Sequence, residues 1–351
     1  MTPSTRLPGQ GSGLVEETIP FIAGDGKQLN LIHVRGAVPP AKGPVIVVHG
    51  AGVRANIFRA PSGRDIVEVL TEQGYDVWLE NWRASIDFPP MEWTLDQAAL
   101  YDHPRAVATI CDLTGADRVA AIIHCQGSTS FMMSAVAGLV PNVDRIVSNA
   151  VSLHPAVPWF SNFKLQRVIP LVRHLTRYAN PHWGESARTT FAKVTAAAVR
   201  ATHHECDNSV CKMVSFVYGS GRPALWRHEN INAETHEWII NEFGNAPMSF
   251  FSQMARCVAA GHLVAVDALA DLPADFTATA PQTDARITLL AGALNRCFLP
   301  SSQERTLAYL EDWQPGRHRL HVFPAFSHLD VFMGKDAANI TFPWILQGLG
   351  E

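Results

Sequence analysis

The sequence predicts an α/β protein, a mostly parallel central sheet covered by helices on both faces and interrupted by a helical insertion. Three observations predict it. Short apolar runs alternate with helical stretches up to about residue 155, the pattern of strands buried between two helical layers. The rhythm then stops: residues 156–282 carry helical stretches such as ESARTTFAKVTAAAVRATHH, with aromatics and no strand spacing. Alternation resumes at ARITLLAGA (285–293). The insertion, about 125 residues, is far longer than a connecting loop. The expected organisation is a first core segment at 1–155, a cap or lid at 156–282 and a second core segment at 283–351.

Each element has its own signal. EETIPFIAG and KQLNLIHVRG alternate in polarity and are joined by Gly24-Asp25-Gly26, which marks a hairpin. PVIVVHG (44–50) is continuously apolar and ends in glycine, so it reads as a buried strand. An amphipathic helix is expected over 64–73 and a strand in YDVWLEN (75–81). A helix follows over 94–115, opened by Thr94, closed by Gly115 and expected to kink or break at Pro104. RVAAIIH (118–124) is a strand, 126–140 a helix, and RIVSNAVSLHP (145–155) a further strand. After the insertion come the strand 285–293, a helix over 301–311, the strand RLHVFPA (319–325) and a last helix from about 335.

Composition bounds the function. Of 351 residues, 47% are hydrophobic and 17% charged, which fits a well-buried globular chain. The net charge of −4 offers no basic face to nucleic acid. No apolar run reaches the length of a membrane-spanning helix. The opening MTPSTRLPGQGSG lacks an apolar h-region and a cleavage pattern, so no secretory signal is expected. The six cysteines (111, 125, 206, 211, 257 and 297) then read as free thiols in a cytoplasmic protein. Cys206 and Cys211, near His203 and His204, invite a disulfide or metal reading, but the spacing matches no zinc signature and a second cysteine pair is missing. Neither a metal nor a cofactor is expected.

The chemistry centres on RVAAIIHCQGSTSF (118–131). A nucleophile elbow needs a sharp strand-to-helix turn with small residues around the tip. Cys125 fits the tip, Gln126 starts the helix, and Gly127 supplies a small residue two positions on. Ser128 and Ser130 fall within the helix. Ile123 departs from the motif, which normally has glycine there, and a buried structural cysteine is the competing reading. HGAG (49–52) follows the third strand, so the backbone N–H groups of Ala51 and Gln126 are the expected oxyanion hole. His328, in FSHLD after the last strand, is the expected general base. In the acid slot after the penultimate strand the candidate is Asn295, with Asp330 the other group that could orient His328. An asparagine there costs a serine enzyme about 10⁴ in turnover. A cysteine tolerates it better, because the thiol can lose its proton before attack.

These motifs make the chain similar to the α/β-hydrolases, and within them to the acid lipases of gastric and lysosomal type. GYDVWLENWRAS (74–85), IIHCQGSTS, ALNRCFLP and FSHLDVFMGKDAANITFPWIL resemble their post-helix strand, their serine elbow, their aspartate segment and their histidine loop, with Cys125 in place of the serine. CDNSVCKMVSFVYG (206–219), HENIN (228–232) and Thr235-His236 fall where those lipases carry their cap. The chain also resembles bacterial α/β-hydrolases that accompany sterol-oxidase-like flavoproteins. A cysteine elbow is shared by dienelactone hydrolases and polyhydroxyalkanoate synthases. The resemblance implies acyl transfer in an apolar pocket under a helical lid.

The expected function is a cysteine-dependent hydrolase of an apolar ester or thioester, with Cys125, His328 and Asn295 as triad. In that scheme His328 activates the thiol and protonates the leaving group. An acyltransferase or condensing enzyme built on the same residues is the second reading, and a non-catalytic binding protein on this scaffold the third. Met132, Met133, Trp159, Phe160, Phe216 and Tyr218 are the candidates for lining an acyl pocket.

Overall fold

The computed structural model describes residues 13–350. The opening segment read above as lacking a secretory signal lies, apart from Gly13, outside the described residues. Val15–Ile22 (β1) and Gln28–Arg35 (β2) form the expected hairpin, with Val15 opposite Arg35 and Ile22 opposite Gln28. Pro44–Val48 (β3), Asp76–Asn81 (β4), Val119–His124 (β5) and Val143–Asn149 (β6) follow. Tyr178–Ala179 (β7) and Ala246–Pro247 (β8) make a small separate antiparallel pair. Arg286–Gly292 (β9) and Arg319–Phe323 (β10) complete the main sheet.

Its order is β1-β2-β4-β3-β5-β6-β9-β10. The six strands from β4 to β10 pair in parallel, and β2 runs antiparallel to β4. Every residue of β3, β4 and β5 is buried. Helices cover both faces there, so β3 and most of β5 read as unbroken apolar runs rather than alternating ones, while β4 also buries Asp76, Glu80 and Asn81.

Two elements differ from expectation. The helix opened by Thr94, with its reciprocal Thr94–Gln97 cap, does not break at Pro104. Residues Ala98–Asp102 wind as a π-helix just ahead of it, and Pro104 lies in the first turn of the regular stretch His103–Thr114. The wider turn leaves room for the proline ring, which cannot donate the usual helical hydrogen bond. The strand expected through residue 155 ends at Asn149, because Ala150 adopts a φ of 83° and turns the chain away.

Between β6 and β9 the chain is mainly helical. A mixed helix covers 159–172. It is followed by Thr190–Thr202, Ser209–Tyr218, Ala233–Trp238 and Met248–Ala260. Val210, Met248, Phe250 and Met254 of this segment join the same continuous apolar core as the sheet. Among the described residues no helix is long and apolar enough to cross a membrane.

Candidate active site

The residues singled out for chemistry come together at the carboxyl ends of parallel strands of the main sheet. Ala51 follows β3, Cys125 follows β5, Asn295 follows β9 and His328 follows β10. Open α/β sheets place their sites in the crevice at that edge.

Cys125 sits between β5 and the helix Gln126–Val136 at φ 56° and ψ −122°. Besides Ala150, it is the only non-glycine residue with positive φ among those described. Backbone in this region is strained and persists only when its surroundings hold it. Two glycines make room for the bend. A Cβ on Gly127 would lie 2.2 Å from the His49 carbonyl oxygen, and one on Gly50 would lie 2.9 Å from the Cys125 Cβ. Ile123 does not prevent the turn: it is buried within β5, paired with Val48 and Ser148.

The neighbouring hydroxyls are occupied. Ser128 Oγ is hydrogen-bonded to Ser148 Oγ at 2.5 Å and donates to the Val151 carbonyl. Ser130 Oγ donates to the Gln126 carbonyl at 3.0 Å and is bonded to His103 Nε2 at 2.8 Å. Both serines are fully buried, which leaves Cys125 as the group facing the cavity.

One side-chain nitrogen each from His124 and His328 lies within 4.8 Å of the Cys125 sulfur. His124 is a neutral wall of this cluster. Its Nδ1 accepts from Asn149 Nδ2 at 2.9 Å, and burial drives its pKa well below the imidazole range.

His328 is held by Asn295, whose amide lies 3.1 Å from the ring Nδ1. The sense of that bond follows from the other end of the amide. Asn295 Oδ1 accepts the backbone N–H groups of Cys297 (2.9 Å) and Phe298 (3.0 Å). The amide nitrogen therefore faces His328 and donates to Nδ1. A ring nitrogen that accepts carries no proton, so neutral His328 keeps its proton on Nε2. An aspartate in the same place would accept from Nδ1–H and set the opposite tautomer. Asp330 is committed elsewhere. Its carboxylate accepts from the backbone N–H groups of Ser327 (2.6 Å) and Arg227 (3.2 Å) and from Asn230 Nδ2 (2.7 Å).

Burial by itself would raise the Cys125 thiol pKa. The hydrogen bonds from Cys297, from His328 and from the Gln126 N–H outweigh it and hold Cys125 well below the ordinary thiol range. Cys297, fully buried and beside that thiolate, is pushed well above it and remains a thiol donor. The Gln126 N–H opens a helix, and the Ala51 N–H donates to no other group among the described residues. Both residues line the same cavity as Cys125.

That cavity encloses about 260 Å³, and Leu165, Phe216, Tyr218, Phe250 and Met254 are among the residues of its apolar wall. Tyr218 brings to that wall a buried hydroxyl with no hydrogen-bond partner among the described residues. It stands over Gly52, where a Cβ would lie 2.1 Å from the hydroxyl oxygen. Phe216 and Tyr218 thus lie where the sequence put them. Met132 and Met133 do not: they are fully buried on the helix after the elbow and do not reach the cavity. Trp159 and Phe160 also miss it. They are 78% and 44% exposed and pack with Phe163 on the outer face of helix 159–172.

Two titratable lining residues escaped the sequence reading. Cys297 stands two positions after Asn295, and that spacing is the one signal that could have marked it. Lys164 is a lone lysine on a mixed helix with no signal at all. Its Nζ donates to the carbonyls of Phe216 and Gly219, and burial lowers its pKa to about 8. The metal reading also changes its members. Cys206 and Cys211 do not meet His203 and His204 in one cluster but converge with His228 and His236.

Comparison with known proteins agrees with this architecture. Residues 43–175 match the family model described as alpha/beta hydrolase fold. With the sheet order and the elbow, this gives the chain the α/β-hydrolase fold. Sterol esterase 2 of Saccharomyces cerevisiae is 24% identical over 157 residues, covering 37% of this chain and 29% of the esterase. A probable lipase of Schizosaccharomyces pombe is 29% identical over 136 residues, 34% of this chain and 30% of the lipase. The matched regions thus span under a third of either relative. Among solved structures, a carboxyl esterase from Bacillus coagulans superposes with a TM-score of 0.60 at 12% identity, covering 96% of this chain and 98% of the esterase. A monoglyceride lipase variant from Saccharomyces cerevisiae gives 0.58 at 12% identity, with 97% and 96% covered.

Proposed function

We propose that the chain is an acyl-cleaving enzyme that works through a thioester on Cys125, its acyl group held in the cavity beneath the cap. The Cys125 thiolate attacks the substrate carbonyl carbon. The N–H groups of Ala51 and Gln126 receive the oxyanion, with the Tyr218 hydroxyl as a further donor. Collapse of the tetrahedral intermediate breaks the bond to the leaving group and leaves the acyl chain on sulfur. The observation that carries this reading is the strained elbow of Cys125, within 4.8 Å of His328. The esterase and lipase relatives, and the motif likeness to acid lipases, support an apolar ester or thioester as substrate. The free cysteines fit a reducing, cytoplasmic setting.

The orientation of Asn295 favours transfer of the acyl group as a second reading. Protonating an alkoxide, or deprotonating an incoming water, would need a second ring proton or a free Nε2. The first would sit at Nδ1, where the Asn295 amide already donates. Leaving groups that depart as thiolates, and acceptors such as thiols and amines, make the smallest demand on that ring.

Product analysis tests both readings. Purified protein is incubated with a medium-chain acyl thioester or p-nitrophenyl ester, with and without an added thiol or amine. We expect acyl release that Cys125→Ala abolishes, with conjugate outweighing free acid when the acceptor is present. Equal release by Cys125→Ala would reject the nucleophile, and no release by either protein would leave a binding scaffold. Free acid alone in the presence of acceptor would reject transfer.

A further inference from the structure

We propose that Cys206, Cys211, His228 and His236 form a structural zinc site that braces the cap. Four side chains from three segments converge. Cys206 lies in the turn before the helix Ser209–Tyr218, and Cys211 in its first turn, where the Asn208 side chain caps the Cys211 N–H at 2.9 Å. His228 opens the short turn His228–Asn230, and His236 sits on Ala233–Trp238. One ligand atom from each lies within 4.8 Å of all the others.

Two of the separations match those of a tetrahedron around one ion. Zinc bonds of about 2.3 Å to sulfur and about 2.0–2.1 Å to nitrogen put nitrogens about 3.3 Å apart and sulfur about 3.5 Å from nitrogen. His228 Nε2 and His236 Nε2 are 3.2 Å apart, and Cys211 Sγ is 3.5 Å from His228 Nε2. The two imidazole nitrogens share one proton as a hydrogen bond, a place that a zinc ion would take. Two thiolates and two neutral imidazoles are a four-coordinate zinc set with no position left for substrate. The spacing of four, sixteen and seven intervening residues is unlike that of compact zinc modules, because the cap fold brings the second pair back.

The site lies between the cavity and the histidine loop. The helix Ser209–Tyr218 carries Phe216 and Tyr218 into the cavity wall. The segment around His228 is fastened to the loop after β10 by Arg227 N–H and Asn230 Nδ2, both donating to Asp330. Zinc would join these two parts of the cap, independently of what the cavity binds.

The test is metal content and thiol protection of the intact chain. Reduced protein is reconstituted with zinc chloride, desalted and measured by elemental mass spectrometry. We expect one zinc ion per chain, lost in Cys206→Ser and His236→Ala and kept in Cys111→Ser. In the wild type, Cys206 and Cys211 should alkylate roughly tenfold or more slowly with zinc than after a strong chelator, read by peptide mapping. That measurement stands even if the variants fail to fold. Reduced wild type that retains no zinc, or whose Cys206 and Cys211 alkylate equally with and without zinc, would overturn the site.

Discussion

At the scale of single residues, the account turns on which atom of Asn295 faces His328. Two backbone N–H groups occupy its Oδ1, so its amide N–H goes to the ring and fixes the tautomer. Such a tautomer disables a serine nucleophile and is tolerable for a thiolate, which needs no base at the moment of attack. Cys125→Ser alone should therefore lose roughly 10³-fold or more in turnover. Asn295→Asp in that background should recover at least about tenfold, because the aspartate accepts from Nδ1–H and frees Nε2 to act as base. In the cysteine enzyme the same Asn295→Asp change should shorten the life of the acyl-enzyme in water, seen as a faster steady-state phase after the burst. A double variant no better than Cys125→Ser would remove Asn295 from the mechanism. Cys125, His328 and Asn295 were legible because each stands just past an apolar run, where strand ends can be counted along the chain. Cys297 and Lys164 were not, since nothing in one dimension tells that a side chain will face a cavity. Met132 and Met133 were misread because a helix packed on all sides leaves no polar stripe to show which face meets the site.

At the scale of elements, the elbow works by close approach of β3, β5 and the helix Gln126–Val136. The strained backbone of Cys125 is tolerated because neighbours pack around it and two glycines leave the necessary space. Gly127→Ala places a methyl 2.2 Å from a main-chain oxygen, which no side-chain rotation relieves. It should destabilise the fold by about 2 kcal/mol, measured by urea unfolding, and lower turnover by more than the loss of folded protein explains. Unchanged stability would mean that strand and helix do not approach so closely. Strand and helix identities were largely readable, because buried parallel strands are short apolar runs and helices repeat near 3.6 residues. Their ends were less so. The π-helical turn ahead of Pro104 and the end of β6 at Asn149 depend on local backbone choices, which the apolar pattern does not encode.

At the scale of the whole molecule, the sheet brings Ala51, Cys125, Asn295 and His328, far apart in sequence, to one edge, and the chain between β6 and β9 closes a cavity over them. The core positions were readable as strand ends. The cavity was readable only in part, because its wall comes from helices whose facing is set by tertiary packing. Phe216 and Tyr218 turn inward, while Trp159 and Phe160 turn out. The central claim is that this assembly makes Cys125 a covalent nucleophile. Its depressed pKa means that the thiolate is present above that pKa and is lost only as pH falls through it. The most direct test is intact mass with peptide mapping after brief mixing with an apolar acyl thioester, at pH about 6.5 and about 8.5, given that an ordinary thiol has a pKa near 8.5. The account predicts a single acyl adduct on Cys125 that forms at similar rates at both pH values. No adduct on Cys125, or one that forms roughly fiftyfold faster at the higher pH as for an ordinary thiol, would contradict it.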